Sequence, residues 1–278
     1  MYKRQDIVAK NNSTSGESRA VSDATGTFTM LSLPPGLYTV TVSLMGFKTV
    51  NMPDIQLTAA QPARIKATLE VGQLQETVVV TGATEIVQTE SSAVATTLST
   101  KQISTVPLAT RNTLDFIAAL PGVNTTGTIR NSTVMGLQAS ATNITIDGIN
   151  VQDNYLKSSD GFFARISPRM DAVEEVTVST ANPGAESAGQ GAVQIRFVTR
   201  SGTNKFQGSG YWYVRRTGFN SNYWFNIRDG LPKDQVRVDT YGGRIGGPIR
   251  KDRLFFFFNY EEFRQPGTQS RSLSLIHI

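Results

Sequence analysis

The chain lacks cysteine altogether and contains a single histidine, His277, among its 278 residues. Without thiols it can form neither disulfide bonds nor thiolate metal sites. One histidine alone assembles neither a transition-metal cage nor a Ser-His or Cys-His nucleophile pair. We therefore expect no metal, no cofactor and no catalytic centre, and we do not expect an enzyme.

The chain also lacks the charge pattern of a nucleic-acid-binding protein. Its formal net charge is +5, from 27 Lys and Arg against 22 Asp and Glu, but the basic residues are scattered singly. Because a phosphate backbone is bound by clustered cations, we expect no nucleic-acid partner. The carboxylate pairs Glu174-Glu175 and Glu261-Glu262 lie in strand-like segments, where adjacent side chains point to opposite faces and cannot act as a catalytic pair.

Long apolar runs are missing as well. No stretch of 18 consecutive apolar residues occurs, and the first 19 residues lack the apolar centre of a signal peptide. A conventional membrane-spanning helix is therefore not predicted. The end sequences "MYKRQ" and "SLIHI" resemble translated sequencing adaptors. We interpret the chain as a fragment of a longer protein.

Residues 6–70 alternate short strand-like segments with turns, namely "DIVAKNN", "TGTFTML", "GLYTVTVSLMGF" and "ARIKATLEV". In the third segment Tyr38, Val40, Val42 and Leu44 fall on one face, and the other carries Leu37, Thr39, Thr41 and Ser43. This is the period of a half-buried strand. Pro34-Pro35-Gly36 forms the turn before it and Gly46 ends it. The pattern predicts a small antiparallel β-sandwich whose first strand is missing.

The middle region predicts a compact α+β domain. Residues 82–106 are rich in Thr, Ser and Ala with weak periodicity, and are interpreted as a linker leading into a small helix capped by Ser99. "RNTLDFIAALPGV" predicts a helix with Leu114, Ile117 and Ala118 on one face. Asp147-Gly148 between apolar runs predicts a hairpin with a two-residue turn. Further strands are predicted in "VEEVTVS" and "AVQIRFVT".

Aromatic residues are concentrated between Phe206 and Phe263, a segment that holds 15 of the 24 in the chain. "FQGSGYWYVR", "QVRVD" and "LFFFFNYEEF" alternate apolar and polar residues. Strands of about 10 residues, apolar outward and edged with aromatics, are typical of outer-membrane β-barrels. The long connection 217–233 matches an extracellular loop and "IRKDR" a periplasmic turn. Taken alone, this region leaves open a soluble sandwich in which "FFFF" is buried on both faces.

Together these motifs resemble TonB-dependent outer-membrane receptors, in the Oar-like branch that carries a carboxypeptidase-regulatory-like domain in front. "DATGTFTMLSLPPGLYTVTVSLMGF" resembles the second half of that domain, and "ETVVVTG" resembles the TonB box. "ALPGV", "NITIDGINV", "AVEEVTV" and "VTRSGTN" are similar to successive landmarks of the plug, and "GPIRKDRLFFFFNYEEFR" to the second and third barrel strands. The resemblance extends over residues 6–264, and its specificity comes from the order and spacing of the motifs.

The resemblance implies a mainly β fold with a small α+β plug. It divides the chain into a partial β-sandwich at 6–72, a TonB box linker at 73–83, a plug at 84–203 and the start of an outer-membrane β-barrel at 204–278. It places the protein in the Gram-negative outer membrane, with the first domain in the periplasm and lipid around the barrel strands. About three barrel strands are expected where closure needs about 22, so the barrel is truncated.

The resemblance also implies a partner, TonB of the inner-membrane energising complex. The corresponding TonB box consists of Glu76, Thr77, Val78, Val79, Val80, Thr81 and Gly82. Its valines favour an extended chain, and Gly82 with the Ser/Thr-rich stretch after it lets the segment detach. The alternative is that "TVVV" is simply the last strand of the first domain.

Two plug loops, 125–132 and 152–163, correspond to loops that face the ligand in the resembling family. Within them Arg130, Tyr155, Phe162 and Phe163 are the candidate substrate contacts, because exposed Arg and aromatic side chains carry much of the energy of binding. The implied function is uptake of an unknown extracellular substrate by TonB-driven movement of the plug. The alternative function is a surface-displayed binding or adhesion and assembly barrel without TonB-driven transport.

Overall fold

The computed structural model of the protein describes residues 4–59, 63–72, 77–79, 94–105, 111–125, 132–153, 155–158, 160, 162–181 and 192–266. Strands dominate these residues and helices are short, so the mainly β class is confirmed. The chain divides into two units, Met1–Phe206 with Gly246–Phe256 and Gln207–Ile245 with Phe257–Ile278. Among the described residues, no helix has both the length and the apolar character needed to cross a bilayer.

The first sheet has five strands in the order β2-β1-β3-β4-β5. These strands are β1 Asp6–Asn11, β2 Glu17–Val21, β3 Gly36–Ser43, β4 Thr49–Leu57 and β5 Thr77–Val79. The first four pair antiparallel with their neighbours, whereas β5 runs parallel to β4. Tyr38, Val40 and Val42 of β3 are buried, as the alternation in the sequence predicts.

Extended chain, and not a second ladder, packs on the core of this sheet. Phe28, Met30 and Leu33 come from one extended segment, and Ile65, Ala67 and Leu69 come from another. The prediction of ladder strands in "TGTFTML" and "ARIKATLEV" is therefore wrong, because neither segment forms a strand; the second has a single isolated bridge, between Val71 and Phe47. Alternate apolar residues of both segments pack on the sheet, as those of a strand would. This packing explains why the two sequences alternate like strands.

The second sheet has the order β10-β9-β12-β11-β6, with β12 parallel to β9 and the other pairs antiparallel. Its strands are β6 Val94–Ser99, β9 Thr142–Ile146, β10 Ile149–Asn150, β11 Val173–Ala181 and β12 Val193–Thr199. A separate two-stranded ladder joins β7 Val123–Asn124 to β8 Thr133–Val134. The core beneath the sheet includes Ile144, Val176, Ile195 and Phe197, each almost fully buried.

Short helices complete this core. The helix α1, Thr100–Thr105, begins after Ser99, whose backbone N–H donates to Oε1 of Gln102 at 2.9 Å in the manner of a capping box. The predicted second helix is a 3₁₀ helix, Thr113–Ala119. Leu114 and Ile117 are buried as predicted, but Ala118 is exposed. With three residues per turn, only positions three apart share a face.

Further 3₁₀ helices lie in the loops, at Ala139–Ala141, Leu156–Ser158, Met170–Ala172 and Thr217–Phe219.

The predicted linker over residues 82–106 contains an edge strand, so that interpretation is wrong for β6. β6 pairs with β11 in register, Thr97 opposite Thr177, and the hydroxyls of these two threonines lie 3.0 Å apart. The partner is 80 residues away in the chain. The local sequence therefore carries little signal for this strand, because its stability comes from the distant ladder.

The Asp-Gly hairpin predicted from sequence is confirmed. β9 and β10 pair antiparallel with Ile146 opposite Ile149, and the two turn residues have φ of +48° at Asp147 and +83° at Gly148. Positive φ at both positions defines the type I′ turn. The Asp147 carboxylate also accepts bonds from the backbone N–H (2.9 Å) and the hydroxyl (2.6 Å) of Thr199, which fastens the turn to the end of β12.

The third sheet consists of three long strands in the order β13-β14-β15. They are β13 Gln207–Arg216, β14 Arg237–Arg250 and β15 Leu254–Arg264, with the five-residue helix α2 Trp224–Arg228 between the first two. The strand order leaves the sheet unclosed, as expected for a truncated barrel. Asn204 and Asp252 bind each other at the turn between β14 and β15, through two hydrogen bonds of 2.8 Å.

Candidate functional site

The strand β5 holds the central part of the predicted TonB box. Thr77 lies opposite Thr49, Val78 opposite Val50 and Val79 opposite Asn51. Glu76, Val80, Thr81 and Gly82 lie outside the described residues. The pairing agrees with the interpretation of this segment as the last strand of the first sheet. Binding of TonB by the same residues stays a prediction. The two interpretations are compatible, because a segment that pairs with β4 at one time can bind TonB at another.

The chain reaches β5 along a defined path. After packing Ile65, Ala67 and Leu69 on the core, it meets the beginning of β4, where the N–H of Lys48 donates to the carbonyl of Glu70 at 2.9 Å. The N–H of Gly72 then donates to the carbonyl of Gly46 at 3.3 Å. Only residues 73–76 separate this contact from β5. The path therefore delivers the strand to the edge of β4.

Beyond Asn51, β4 is poorly suited to further strand pairing. The pairs with the described residues 77–79 reach Asn51, and two residues later Pro53 has no N–H to donate to a neighbouring strand. Asp54 follows with φ of +57°, which interrupts the extended backbone. Asn51 itself keeps its side-chain Oδ1 buried without a hydrogen-bond partner in the part of the chain that the structure describes. An unpaired buried acceptor lowers the stability of this edge.

The second candidate region is the turn that follows the Asp-Gly hairpin. Asp153 accepts bonds from the backbone N–H of Tyr155 at 2.9 Å and of Leu156 at 3.3 Å. Its other oxygen accepts two bonds from the guanidinium of Arg165, at 2.7 and 3.1 Å. The bonds from Arg165, followed by that from the Tyr155 backbone, hold the pKa of Asp153 below its ordinary value. One carboxylate thus fixes a turn that presents Tyr155 to solvent.

The four candidate contacts fall into different environments. Tyr155 is 88% exposed, so its ring is free to meet a ligand. Phe162 is 2% exposed and belongs to the core beneath the second sheet, and Phe163 is half-buried. Arg130 lies outside the described residues. In this arrangement Phe162 packs the turn from below and presents no surface to a ligand.

Side-chain amides, buried at Asn143, Gln152 and Gln194, connect this turn to the sheet. Nδ2 of Asn143 donates to Oε1 of Gln194 at 2.8 Å, and Nδ2 of Asn150 donates to Oδ1 of Asn143 at 2.6 Å. Gln152 accepts from the N–H of Ile144 at 3.1 Å, while its own N–H donates to Asn150 at 2.8 Å. Satisfied buried polar groups of this kind rigidify their surroundings. The network therefore holds the start of the turn in one position.

Glu175 joins the first sheet to the second. Glu175 is 7% exposed. Its Oε1 accepts a hydrogen bond of 2.7 Å from the backbone N–H of Ala59, just beyond β4. Burial raises the pKa of this carboxyl above its ordinary value, against the effect of the Ala59 bond. Glu174 is exposed and lies 3.5 Å from Arg200, so the two adjacent carboxylates have different partners, and a register shift between Val173 and Glu175 interrupts the strand alternation at this point.

In the second unit, the two faces of β13 differ in polarity. On one face Tyr211 donates to Glu261 at 2.7 Å, and Arg244 donates to Ser209 at 3.0 Å. On the other face Trp212 and Val214 are exposed, and the polar contacts lie toward the end of the strand, where Arg216 meets Asp239 at 2.6 Å. An apolar face with charged groups at its rim suits lipid, and the polar face suits the lumen of a barrel.

Family models match three consecutive parts of the chain. Residues 4–70 match the carboxypeptidase regulatory-like domain, residues 87–195 the TonB-dependent receptor plug domain, and residues 198–276 an outer membrane beta barrel domain. The order is the one that the sequence motifs predict. The chain thus carries a TonB-dependent receptor plug domain between a carboxypeptidase regulatory-like domain and an outer membrane beta barrel domain. The second sheet is accordingly the plug, the third is part of the barrel, and the protein is located in the Gram-negative outer membrane.

The chain is similar to a known transporter and to a known receptor. The TonB-dependent transporter Oar of Myxococcus xanthus is 24% identical over 295 residues, which cover 98% of this chain and 26% of that protein. The chain thus spans about a quarter of the length of that relative. A crystal structure of the siderophore receptor PirA from Acinetobacter baumannii matches with a TM-score of 0.46 and 17% identity, over 62% of this chain and 24% of that one.

The sequence motifs miss Asp153 and Arg165, which organise the exposed plug turn. They lie 12 residues apart, and no local pattern indicates that they pair. The sequence carries a weaker signal. In an Asx turn, the side chain of an Asp accepts a hydrogen bond from the backbone N–H two residues later. That signal identifies Asp153 as a turn residue but leaves its cation unknown.

Replacing Asp153 with Ala should loosen the plug turn. The amides of Tyr155 and Leu156 lose their acceptor, so we expect their hydrogen exchange to accelerate roughly two- to tenfold, the effect of one modest hydrogen bond. Asp153→Asn keeps an acceptor and should lie between this variant and wild type. The measurement is amide exchange resolved at residues 153–158.

The same protection should depend on pH. Because the folded pKa of Asp153 lies below its ordinary value of 3.8, the carboxylate stabilises the turn fully above that value and less as pH falls through the folded pKa. Exchange at Tyr155 that is equal in wild type and Asp153→Ala, after correction for intrinsic rates, would show that another contact holds the turn.

Proposed function

We propose that this chain is part of a transporter that takes up an extracellular substrate when TonB pulls on residues 76–82. One observation carries the proposal: a valine-rich strand at the edge of the first sheet precedes a plug and the beginning of a barrel in the same chain. Such a strand offers main-chain N–H and C=O groups to a partner that binds by strand addition. The domain limits that go with this proposal are 6–72, 73–83, 84–203 and 204–278.

A physical requirement supports a role for TonB. An outer membrane has no ATP supply and no ion gradient, so an active transporter in it needs energy delivered mechanically from the inner membrane. The first domain and residues 76–82 then lie in the periplasm, where TonB reaches them. Partial backbone pairing of a few residues gives a weak and reversible attachment, which suits a pull followed by release.

On the outer side, we propose that Tyr155 contacts the substrate, with Arg130 and Phe163 as further contacts. The exposure of Tyr155 and the rigid turn beneath it support this role, because a preorganised aromatic side chain loses little entropy on binding. Phe162 is assigned to packing in this proposal, since its side chain lies in the plug core. A contact from Phe162 would require the turn to open.

An adhesion or assembly role without transport is the second candidate. The connection between β13 and β14 carries exposed aromatic residues, and the guanidinium of Arg228 stacks on Trp224 and Phe225 at 5.4 and 5.1 Å from the ring centres. Exposed aromatic and Arg clusters favour binding of a partner at the cell surface. The two candidates differ in their need for TonB. Excess soluble TonB periplasmic domain should inhibit transport and leave surface binding unchanged.

Proline scanning of residues 77–80 tests the attachment to TonB. In a strand pair only alternate residues direct their N–H toward the partner, and proline removes that donor while keeping the chain extended. Thr77→Pro, Val78→Pro, Val79→Pro and Val80→Pro should therefore weaken binding in a period-2 pattern. Each lost bond should cost about 0.5–1.5 kcal/mol, which is roughly two- to tenfold in affinity. The measurement is affinity for a purified TonB C-terminal domain.

Val79→Thr and Val80→Thr serve as controls that keep the N–H, and they should have milder effects than proline. The melting temperature should stay nearly constant throughout, because β5 is a short edge strand. Equal affinity for all four proline variants would contradict the proposal, as would a loss of folding in place of a loss of binding.

Cysteine labelling tests the outward placement of Tyr155. In the full-length receptor on intact cells, Tyr155→Cys should react with a membrane-impermeant maleimide, because this position is exposed and the plug turn faces outward in the proposal. Ile144→Cys, buried in the plug core, is the matched control and should react slowly. A Tyr155→Cys variant that stays unlabelled in intact cells but reacts after lysis would place the turn on the periplasmic side.

A further inference from the structure

Contacts between strands distinguish the two faces of the barrel sheet. On the polar face, which suits the lumen, Tyr211 of β13 donates to Glu261 of β15. Because side chains alternate along a strand, the next residue, Trp212, belongs to the opposite face, and its Nε1 donates to Asp239 of β14 at 3.2 Å. Trp212 and Val214 are exposed there. We call this second side of the sheet the lipid face.

Three arginines lie together at one end of the lipid face. A terminal nitrogen of Arg216 lies 2.6 Å from Asp239, and Nε of Arg237 lies 3.9 Å from the same carboxylate. Two residues further along β14, a step of about 7 Å, the guanidinium of Arg264 lies over the ring of Tyr241, 5.6 Å from its centre. Strand alternation and these contacts place all three cations on one surface.

The cluster carries more positive than negative charge. Arg264 pairs with Glu262. Asp239 serves both Arg216 and Arg237, so three cations meet two carboxylates among the described residues of this surface. The side chains of Arg237 and Arg264 are 70% and 64% exposed. A guanidinium has five N–H donors, and the carboxylate contacts occupy only some of them. Donors and one positive charge therefore remain for an anion from outside the protein.

Position along the strands puts the cluster at the outer surface of the membrane. β14 has 14 residues, which extend about 48 Å, or about 36 Å across the membrane at a tilt near 40°. The apolar band of such a barrel is about 25 Å tall, so both ends of β14 emerge from it. The end of β14 leads into the turn where Asp252 binds Asn204, whose N–H donates to Ser13 of the periplasmic first domain at 3.0 Å. The cluster at the beginning of β14 therefore lies at the outer leaflet.

Apolar and amphipathic side chains adjoin the cluster on the same face. Val214 precedes Arg216 at the alternate position of β13. Phe258 and Tyr260 precede Arg264 in the same way on β15. Val214, Phe258 and Tyr260 are all exposed. An acyl chain that packs on this surface therefore has its headgroup beside the arginines.

We propose that the lipid face binds the phosphorylated sugar headgroup of an outer-leaflet glycolipid through the cluster of Arg216, Arg237, Arg264, Trp212 and Tyr241. Arginine on a lipid face is costly in the hydrocarbon and nearly without cost at the interface, where its planar fork binds phosphate oxygens in pairs. Tryptophan and tyrosine favour the same depth, because each has an apolar ring and a polar tip. The site depends only on the barrel and its location, so it holds whether or not the receptor transports a substrate.

The test uses full-length receptor purified in a non-ionic detergent, with lipid A as the probe and its affinity as the measurement. Arg237→Gln combined with Arg264→Gln removes two guanidinium groups from the site. We expect this variant to bind lipid A at least tenfold more weakly than wild type, because hydrogen bonds to charged groups are lost. Arg237→Lys combined with Arg264→Lys keeps the charge without the paired donors and should give an intermediate affinity.

The matched control is Arg215→Gln combined with Arg244→Gln. These two arginines belong to the same strands but to the lumen face, where Arg244 donates to Ser209 at 3.0 Å. The control removes the same charge and should bind lipid A as wild type does. Because Arg237 and Arg264 are exposed, the melting temperature in detergent should also stay within about 2 °C of wild type for the Gln pair.

Two further probes test the wild-type receptor without any substitution. Lipid A stripped of its phosphates should bind at least tenfold more weakly than intact lipid A, and inorganic phosphate at an equal concentration should not compete. Equal binding of both lipids would overturn the inference, as would an equal loss of affinity in the lumen-face control, which would indicate attraction by net charge alone. Competition by inorganic phosphate would overturn the assignment to a lipid.

Discussion

The outward N–H and C=O groups of edge strands require partners, and the way in which each sheet of this protein meets that requirement governs its organisation. In the first sheet, residues 77–79, the part of this segment that the structure describes, pair with the edge of β4. In the plug, β6 covers the edge of β11 over the whole of Val94–Ser99. Among the described residues, the barrel sheet has open edges at β13 and β15, and such edges are removed only when a barrel closes.

The plug contrasts with the edge of β4 because it is held by many satisfied contacts. Its sheet has a nearly fully buried apolar core, and the amides of Asn143, Asn150 and Gln194 bind one another at the turn. Asp153 and Arg165 then fix the exposed turn that carries Tyr155. The proposed ligand surface is thus rigid, and the proposed TonB surface is exchangeable. This difference suits a receptor that recognises its substrate by shape and receives mechanical energy through a transient contact with TonB.

Local chemistry in the sequence predicts the elements whose causes are local. The Asp147-Gly148 turn, the alternation in β3 and the polar and apolar faces of β13 follow from residue types at fixed spacing. Elements that depend on distant partners are not predictable in this way. β6 forms because β11 lies beside it, β5 finds β4 only after the chain has crossed the core, and Phe162 is buried by packing that its neighbours in sequence do not indicate. Ala118 is exposed because the helix tightens to a 3₁₀ helix.

The central claim is that TonB binds this receptor through the backbone of residues 76–82. The most direct measurement is residue-resolved hydrogen exchange of the full-length receptor with and without a saturating concentration of TonB C-terminal domain. The account predicts that protection spreads from Thr77–Val79 to the whole of residues 76–82 when TonB is added, as a longer ladder forms. Unchanged exchange over residues 76–82, together with new protection elsewhere on the first domain or plug, would contradict it.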